Sequence, residues 1–211
     1  MRQANNFQIT VAENVEIVLA MLEEIENENL PGCVVECGVY KGASLAAIAA
    51  KLKALGSKRR IWGFDSFEGL PEPSAEDYIA DPQLRQKARR GYFGDTSLEL
   101  TRSRVDAVGY EGEIILVPGW FEDTLPRFDE QIALLFLDCD FYESYVVALN
   151  SLSDKVVPGG IAIFDEYESL KYPGPRLAVD QFFSSKSEKP QYDPRFVKEG
   201  AFRRWFVRKA K

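Results

Sequence analysis

Two apolar segments that each end abruptly in carboxylates constrain this chain more than any other feature. Residues 134–140 run from Leu-Leu-Phe-Leu into Asp-Cys-Asp, and residues 161–166 run from Ile-Ala-Ile-Phe into Asp-Glu. An apolar run of this length is typical of a strand buried on both faces of a parallel sheet. Ligands bind at the carboxyl ends of the strands in open α/β sheets, so four acids are predicted at the ligand-binding edge. Clustered acids repel one another unless a cation joins them, and oxygen ligands suit a divalent ion such as Mg²⁺.

Length and charge limit the classes of protein that remain. The 211 residues suffice for one well-buried domain (1–211), and 45% hydrophobic with 28% charged residues is ordinary for a globular protein. The net charge of −7 argues against nucleic acid as a partner. There is no signal-peptide pattern and no apolar run of membrane-span length, so we expect a cytoplasmic protein without a membrane partner.

The cysteine and histidine content excludes several chemistries. Three cysteines are present, and they are expected to be buried thiols in a reducing compartment. The chain has no histidine, which removes the Ser-His-Asp and Cys-His mechanisms and argues against zinc. Any general base must therefore be a carboxylate, a lysine, a tyrosine or a metal-bound oxygen.

Strand and helix patterns alternate through most of the chain, which predicts an α/β fold with a doubly wound, mostly parallel sheet. A helical N-terminal segment (1–30) carries an apolar stripe that packs on its own domain or against a second copy in a homodimer. The charged, proline-containing stretch 68–96 is predicted to be a partly helical lid or substrate segment. The predicted strands are 33–37, 59–64, 113–117, 134–137, 161–164 and a C-terminal antiparallel hairpin of 191–198 and 201–208 joined at Glu199-Gly200; the predicted helices are 11–28, 44–55, 97–107, 144–152 and 176–183.

The turn after the first predicted strand indicates a nucleoside ligand. Gly38 permits a sharp turn and close approach of a ligand, but the GxGxxG dinucleotide fingerprint is absent and Glu36 would repel a pyrophosphate. An acid there suits the ammonium and sulfonium of S-adenosylmethionine. Asp65, at the end of the second strand, is positioned to accept hydrogen bonds from a ribose diol. The alternative is that Gly38 and Gly42 only connect strand to helix and that Asp65 caps the next segment.

Six motifs in order resemble the macrocin O-methyltransferase (TylF-like) family, which includes sugar O-methyltransferases of antibiotic pathways. The resemblance covers roughly residues 10 to 185. The motifs are VECGVYKG (35–42), FDSFEGLP (64–71), GWFEDTLP (119–126), DCDFYES (138–144), PGG (158–160) and AVDQFF (178–183).

This resemblance implies a class I methyltransferase fold of the Rossmann-like type, S-adenosylmethionine as methyl donor and a divalent metal, usually Mg²⁺. Carried over by motif, the metal ligands are Asp138, Asp165 and Glu166, and the general base is Asp140. The family usually has consecutive aspartates where this chain has Asp165-Glu166, which leaves the position of the ion open. The chain is also shorter than the antibiotic-pathway members, mainly in the parts that contact acceptors.

The candidate cofactor-binding residues follow from the same motifs and from the turn. Trp120 and Phe121 are candidates for the adenine pocket, although plain packing of aromatics at a strand-to-helix junction explains them equally well. The full set is Glu36, Gly38, Val39, Tyr40, Ser44, Asp65, Ser66, Trp120, Phe121 and Asp138.

The function expected from the sequence is methyl transfer from S-adenosylmethionine to a hydroxyl of a small molecule, with a sugar or glycoside as the expected acceptor. One alternative is a lapsed methyltransferase-like subunit, favoured only by Glu166. Another is a different Mg²⁺ enzyme, a phosphatase or glycosyltransferase, whose motifs also contain Asp-x-Asp. The phosphatase motif normally opens its domain and has Thr or Val where Tyr142 stands here.

Overall fold

The computed structural model describes residues 2–79, 81–196 and 203–211. Within these ranges the strands form one seven-stranded sheet of order β3-β2-β1-β4-β5-β7-β6. The first five strands are parallel, and β7 and β6 are antiparallel to their neighbours. The strands are β1 (Cys33–Cys37), β2 (Ile61–Asp65), β3 (Ile114–Pro118), β4 (Ile132–Leu137), β5 (Val156–Phe164), β6 (Gln191–Tyr192) and β7 (Trp205–Arg208); the helices are α1 (Arg2–Asn27), α2 (Ala43–Ala54), α3 (Pro82–Arg85), α4 (Leu98–Asp106), α5 (Phe121–Thr124), α6 (Tyr142–Leu152) and α7 (Gly174–Phe183).

Helices cover both faces of the central strands, which explains the continuous apolar runs. All residues of β1 and β4 are buried. In β4, Leu135 and Leu137 join the core that includes α6 and α7, whereas Leu134 and Phe136 join the core that includes α1 and α2. A strand enclosed in this way needs apolar side chains at successive positions rather than at alternate ones. The doubly wound α/β prediction is confirmed.

Helix α1 packs on its own domain through Ile17, Val18, Leu22 and Ile25, all of which are buried. It begins at Arg2, earlier than the apolar stripe predicted. None of the helices in the described ranges combines the length and apolar content that crossing a bilayer requires.

Two predicted boundaries near the C-terminus differ from the structure. The Pro-Gly-Gly segment belongs to β5 rather than preceding it, because the backbone of Gly159 and Gly160 pairs with that of Lys209. The antiparallel pair is present, but β6 is only two residues long and Pro194–Phe196 forms a 3₁₀ turn. The predicted turn Glu199-Gly200 lies outside the described residues.

The excursion 68–96 contains a 3₁₀ turn at Ala75–Asp77 and the short helix α3. It has its own small core, in which Leu70, Ile79 and Ala88 pack with Phe141 and Tyr172. The buried Asp77 carboxylate accepts hydrogen bonds from the backbone N–H of Tyr142 at 2.8 Å and from Ser74. The excursion is thereby attached to the N-terminus of α6, next to the acidic motif.

We expect Leu149→Ala to lower the free energy of unfolding by about 2–5 kcal/mol, because it leaves a cavity between α6 and the sheet. Leu149 is fully buried. Leu177→Ala, on the exposed side of α7 (41% exposed), is the matched control and should cost about 0.5 kcal/mol or less. Urea unfolding of both variants measures the difference, and equal losses would contradict the assigned core.

Candidate functional site

A cavity of about 690 Å³ opens at the carboxyl ends of the parallel strands. The turn after β1, the excursion and the loop between β5 and α7 surround it. It brings together the predicted site residues with one exception, Glu36. The predicted residues that line it are Gly38, Val39, Tyr40, Ser44, Asp65, Ser66, Trp120, Phe121, Asp138, Asp140, Asp165 and Glu166.

Gly38 lets the end of β1 approach the end of β4. Its φ is +92°, and a Cβ built there would lie 1.7 Å from the carbonyl oxygen of Asp138. No other residue type fits without moving the backbone. Gly38 N–H also donates to the carbonyl of Phe64 on β2 at 2.9 Å. The turn is therefore packed between the strand ends that carry Asp65 and Asp138.

Asp65 holds this turn through backbone hydrogen bonds. Its Oδ2 accepts from the N–H groups of Val39 at 2.8 Å and Tyr40 at 2.7 Å, and its Oδ1 accepts from Phe67 N–H at 2.7 Å. A carboxylate has about four acceptor positions, so three bonds leave about one for a ligand. Sequence reasoning expected a ribose acceptor, and the structure adds a structural role for the same side chain.

Tyr40 is held in a left-handed conformation, with φ of +49°. Its carbonyl accepts from the hydroxyls of Thr96 and Thr101, both at 2.7 Å, and its own hydroxyl donates to Asp95 at 2.6 Å. Thr96 and Asp95 lie at the end of the excursion. The turn and the excursion thus stabilise one another at the cavity wall.

Glu36 lies behind the cavity wall rather than on it. Its side chain is fully buried, and Oε1 accepts a hydrogen bond from Ser44, which does line the cavity. Within the described residues, Oε2 has no hydrogen-bond partner. Burial raises the pKa of Glu36 to about 8. An orphaned buried oxygen is costly, and a ligand cation beside Ser44 would favour the ionised form of the carboxylate behind it.

The three predicted metal ligands converge. Asp138, Asp165 and Glu166 each offer a carboxylate oxygen, and these oxygens lie within 4.8 Å of one another. Asp165 Oδ1 is 2.7 Å from Arg204 Nε on the C-terminal side of the site. Glu166 Oε2 is 2.6 Å from the hydroxyl of Tyr145. Asp165 and Glu166 therefore each have one oxygen that contacts the protein, and the carboxylate of Glu166 also hydrogen-bonds with that of Asp138 inside the cluster.

The electrostatics of this cluster favour a cation. Desolvation, followed by the nearby Asp165 carboxylate, raises the pKa of Asp138 well above its ordinary value. Desolvation and then Asp138 raise the pKa of Glu166 in the same way. Like charges that share a desolvated site cannot all ionise unless a counter-charge is present. The oxygen-only donor set and its spacing fit a hard divalent ion.

Asp140 lies beside the cluster in an unusual backbone conformation. Its φ is +63°, and Phe141 N–H donates to the carbonyl of Cys139 across it at 2.7 Å, which makes a γ-turn. Such strained turns are found at functional sites. Burial raises the pKa of Asp140 to about 7, and the positive charge of Lys171 opposes this rise.

Lys171 and Arg204 are site residues that sequence reasoning missed. The Lys171 ammonium lies 4.1 Å from the ring centroid of Tyr172, 5.1 Å from that of Tyr92 and 5.2 Å from that of Phe93. Burial lowers the pKa of Lys171. No motif marks either cation, because Lys171 lies in the loop between β5 and α7 and Arg204 lies just before β7, both outside the regular elements.

The chain is similar to characterised enzymes over most of its length. The model of the macrocin-O-methyltransferase (TylF) family matches residues 7–191. A 4′-O-methyltransferase from Streptomyces olivaceus that acts on 8-demethyl-8-(2,3-dimethoxy-α-L-rhamnosyl)-tetracenomycin C is 37% identical over 149 residues, which cover 69% of this chain and 57% of that protein. Demethyldecarbamoylnovobiocin O-methyltransferase from Streptomyces niveus is 30% identical over 181 residues, which cover 85% of this chain and 68% of that protein.

The fold agrees with that of solved O-methyltransferases. The structure of the O-methyltransferase NovP superposes with a TM-score of 0.78 at 27% identity, covering 94% of this chain and 80% of that one. The match to the Streptomyces olivaceus relative spans little more than half of that protein, at 57%. From the family match and this fold, the chain belongs to the macrocin O-methyltransferase (TylF) family.

Proposed function

We propose that this protein transfers a methyl group from S-adenosylmethionine to a hydroxyl of a small molecule, with a divalent metal as cofactor and a sugar or glycoside as acceptor. One observation carries the proposal. The glycine turn anchored by Asp65 and the acid cluster of Asp138, Asp165 and Glu166 line a single cavity. The family assignment and the sugar-containing or antibiotic substrates in the relatives' names support the acceptor class. A homodimer and a cytoplasmic location stay predictions.

The methyl donor would lie along the turn after β1. The backbone of Gly38, Val39 and Tyr40 lines the cavity there, together with Trp120 and Phe121. The remaining acceptor position of Asp65 would take a ribose hydroxyl. The buried carboxylate of Glu36, behind Ser44, would stabilise the cofactor's ammonium through the cavity wall by its charge.

A divalent ion held by Asp138, Asp165 and Glu166 would act as a Lewis acid that lowers the pKa of an acceptor hydroxyl. Asp140 is adjacent and, with a pKa of about 7, is a stronger base than an ordinary aspartate near neutral pH. Lys171, close enough to influence Asp140, favours its ionised form. The aromatic residues around Lys171 belong to the excursion and the β5–α7 loop, which together would exclude water from the reacting groups.

We expect Asp65→Asn to weaken S-adenosylmethionine binding by at least about tenfold, because an amide cannot accept all three backbone hydrogen bonds. Isothermal titration with S-adenosylhomocysteine measures this effect. Asp129→Asn, on an exposed aspartate, is the control and should bind as the wild type does. Unchanged binding by Asp65→Asn would show that the turn after β1 is not part of the cofactor site.

We expect cofactor affinity to rise with pH up to about pH 8, above which deprotonation of the ligand's own amino group opposes any further gain. Free Glu36, with a pKa of about 8, is protonated below that pH, and pairing with an ammonium requires it to ionise. Binding therefore releases a proton at lower pH, and the affinity increases as pH rises. Titrations with S-adenosylhomocysteine between about pH 6 and about pH 9 measure the slope. Glu36→Gln should abolish the slope, whereas Glu122→Gln, at the cavity wall, should retain it.

We expect Asp140→Asn to lower kcat by about 10²- to 10⁴-fold while cofactor affinity changes by less than about twofold, since Asp140 acts on the acceptor proton. Transfer of labelled methyl groups to a panel of deoxysugar glycosides, with Mg²⁺ or with EDTA, measures the rate. A lapsed subunit would bind the cofactor without transferring methyl groups. Failure to bind S-adenosylmethionine under either condition would reject the proposed function.

A further inference from the structure

Tyr145 is a buried residue next to the acid cluster to which no role has yet been assigned. It lies in the first turns of α6 and is fully buried. Its hydroxyl is 2.6 Å from Glu166 Oε2 and 2.9 Å from the carbonyl oxygen of Leu137. Leu137 directly precedes Asp138, so one phenol contacts both strand ends that supply acids to the cluster.

The carbonyl of Leu137 is shared by two groups from this region. It also accepts the backbone N–H of Asp165 at 3.0 Å. The ends of β4 and β5 are thus held together by a backbone bond on one side and by Tyr145 on the other. Such buried, interconnected polar groups restrict the positions that each member can take.

Glutamate needs this restraint more than aspartate does. Its side chain has one more methylene and one more rotatable bond, and ordering it costs more conformational entropy. Tyr145 contacts Oε2 of Glu166 and so restrains this carboxylate. An oxygen of the same carboxylate lies within 4.8 Å of carboxylate oxygens of Asp138 and Asp165.

We propose that Tyr145 is the positioning residue that orients Glu166 as a metal ligand, so that a glutamate can serve at this place in the cluster. The proposal rests on the metal site of the proposed function. It concerns how the chain's own side chains are held before an ion binds. Groups that orient ligands in this way typically change metal affinity by about 10- to 100-fold when removed.

Binding of Mn²⁺ alone, followed by electron paramagnetic resonance, tests the proposal without an acceptor. Tyr145→Phe should weaken Mn²⁺ binding by about tenfold or more. In a Glu166→Asp background the carboxylate is one methylene shorter and we expect it to lose its contact with the phenol, so adding Tyr145→Phe should change affinity by less than about twofold. Tyr142→Phe, on the same helix with its hydroxyl bonded to Gln181, is the matched control and should leave affinity unchanged.

A purely structural role for Tyr145 predicts a different result. Tyr145→Phe would then lower affinity equally in the wild-type and Glu166→Asp backgrounds, and equal effects would overturn the proposal. No effect of Tyr145→Phe, or no Mn²⁺ binding by the wild type, would also overturn it. Titration of the same proteins with S-adenosylhomocysteine separates failure of this proposal from failure of the methyltransferase function. If only the proposal about Tyr145 fails, the wild type still binds S-adenosylhomocysteine; if the methyltransferase function fails, it does not.

A measurement on the wild type covers the case in which Tyr145→Phe does not fold. Adding Mg²⁺ should perturb the near-ultraviolet absorption of the tyrosine that contacts Glu166, and the perturbation should be absent in Glu166→Asp. Absence of the perturbation in the wild type, or its persistence in Glu166→Asp, would overturn the proposal.

Discussion

The close approach of Gly38 to the carbonyl of Asp138 is the constraint on which the site depends. Because β1 lies between β2 and β4, its turn must pass between two neighbouring strand ends, and a side chain at Gly38 would overlap the carbonyl of Asp138, directly after β4. Asp65, at the end of β2, then fixes the turn by accepting hydrogen bonds from the backbone N–H groups of Val39 and Tyr40. The wall of the cavity and the position of Asp138 are set by the same contact.

The second constraint is charge. The cavity holds more carboxylates than cations, and desolvation raises the pKa values of Asp138, Asp140 and Glu166. Arg204 and Lys171 balance part of this negative charge, and the remaining negative charge favours the binding of positively charged ligands. A site of this kind is destabilised when empty and stabilised by its ligands, because binding to the folded state shifts the folding equilibrium.

Much of the fold could be predicted from local pattern, since strands enclosed on both faces must be continuously apolar and their ends are marked by the acids. Strand boundaries are predicted less accurately where backbone pairing with a neighbouring strand overrides the local preference of the residues. The strand predicted at 161–164 begins earlier, at Val156, and β5 runs through Pro158-Gly159-Gly160, whose backbone pairs with Lys209. The strand beginning at Gln191 is short because Pro194 introduces a 3₁₀ turn. The sequence predicts Asp65 as a hydrogen-bond acceptor for a ligand. Its hydrogen bonds to the turn after β1 are not predicted, because they join residues 25 and 26 positions apart in sequence.

The order of strands and helices, the family and the acids at the strand ends could all be read from the chain alone, because each is a local property of the sequence. Folding was needed to place Glu36 behind the wall, to pair Arg204 with Asp165, and to bring Tyr145 against Glu166. These contacts join side chains from different strands and helices, so they exist only after the sheet has assembled. Their strength depends on burial, which no short stretch of sequence specifies.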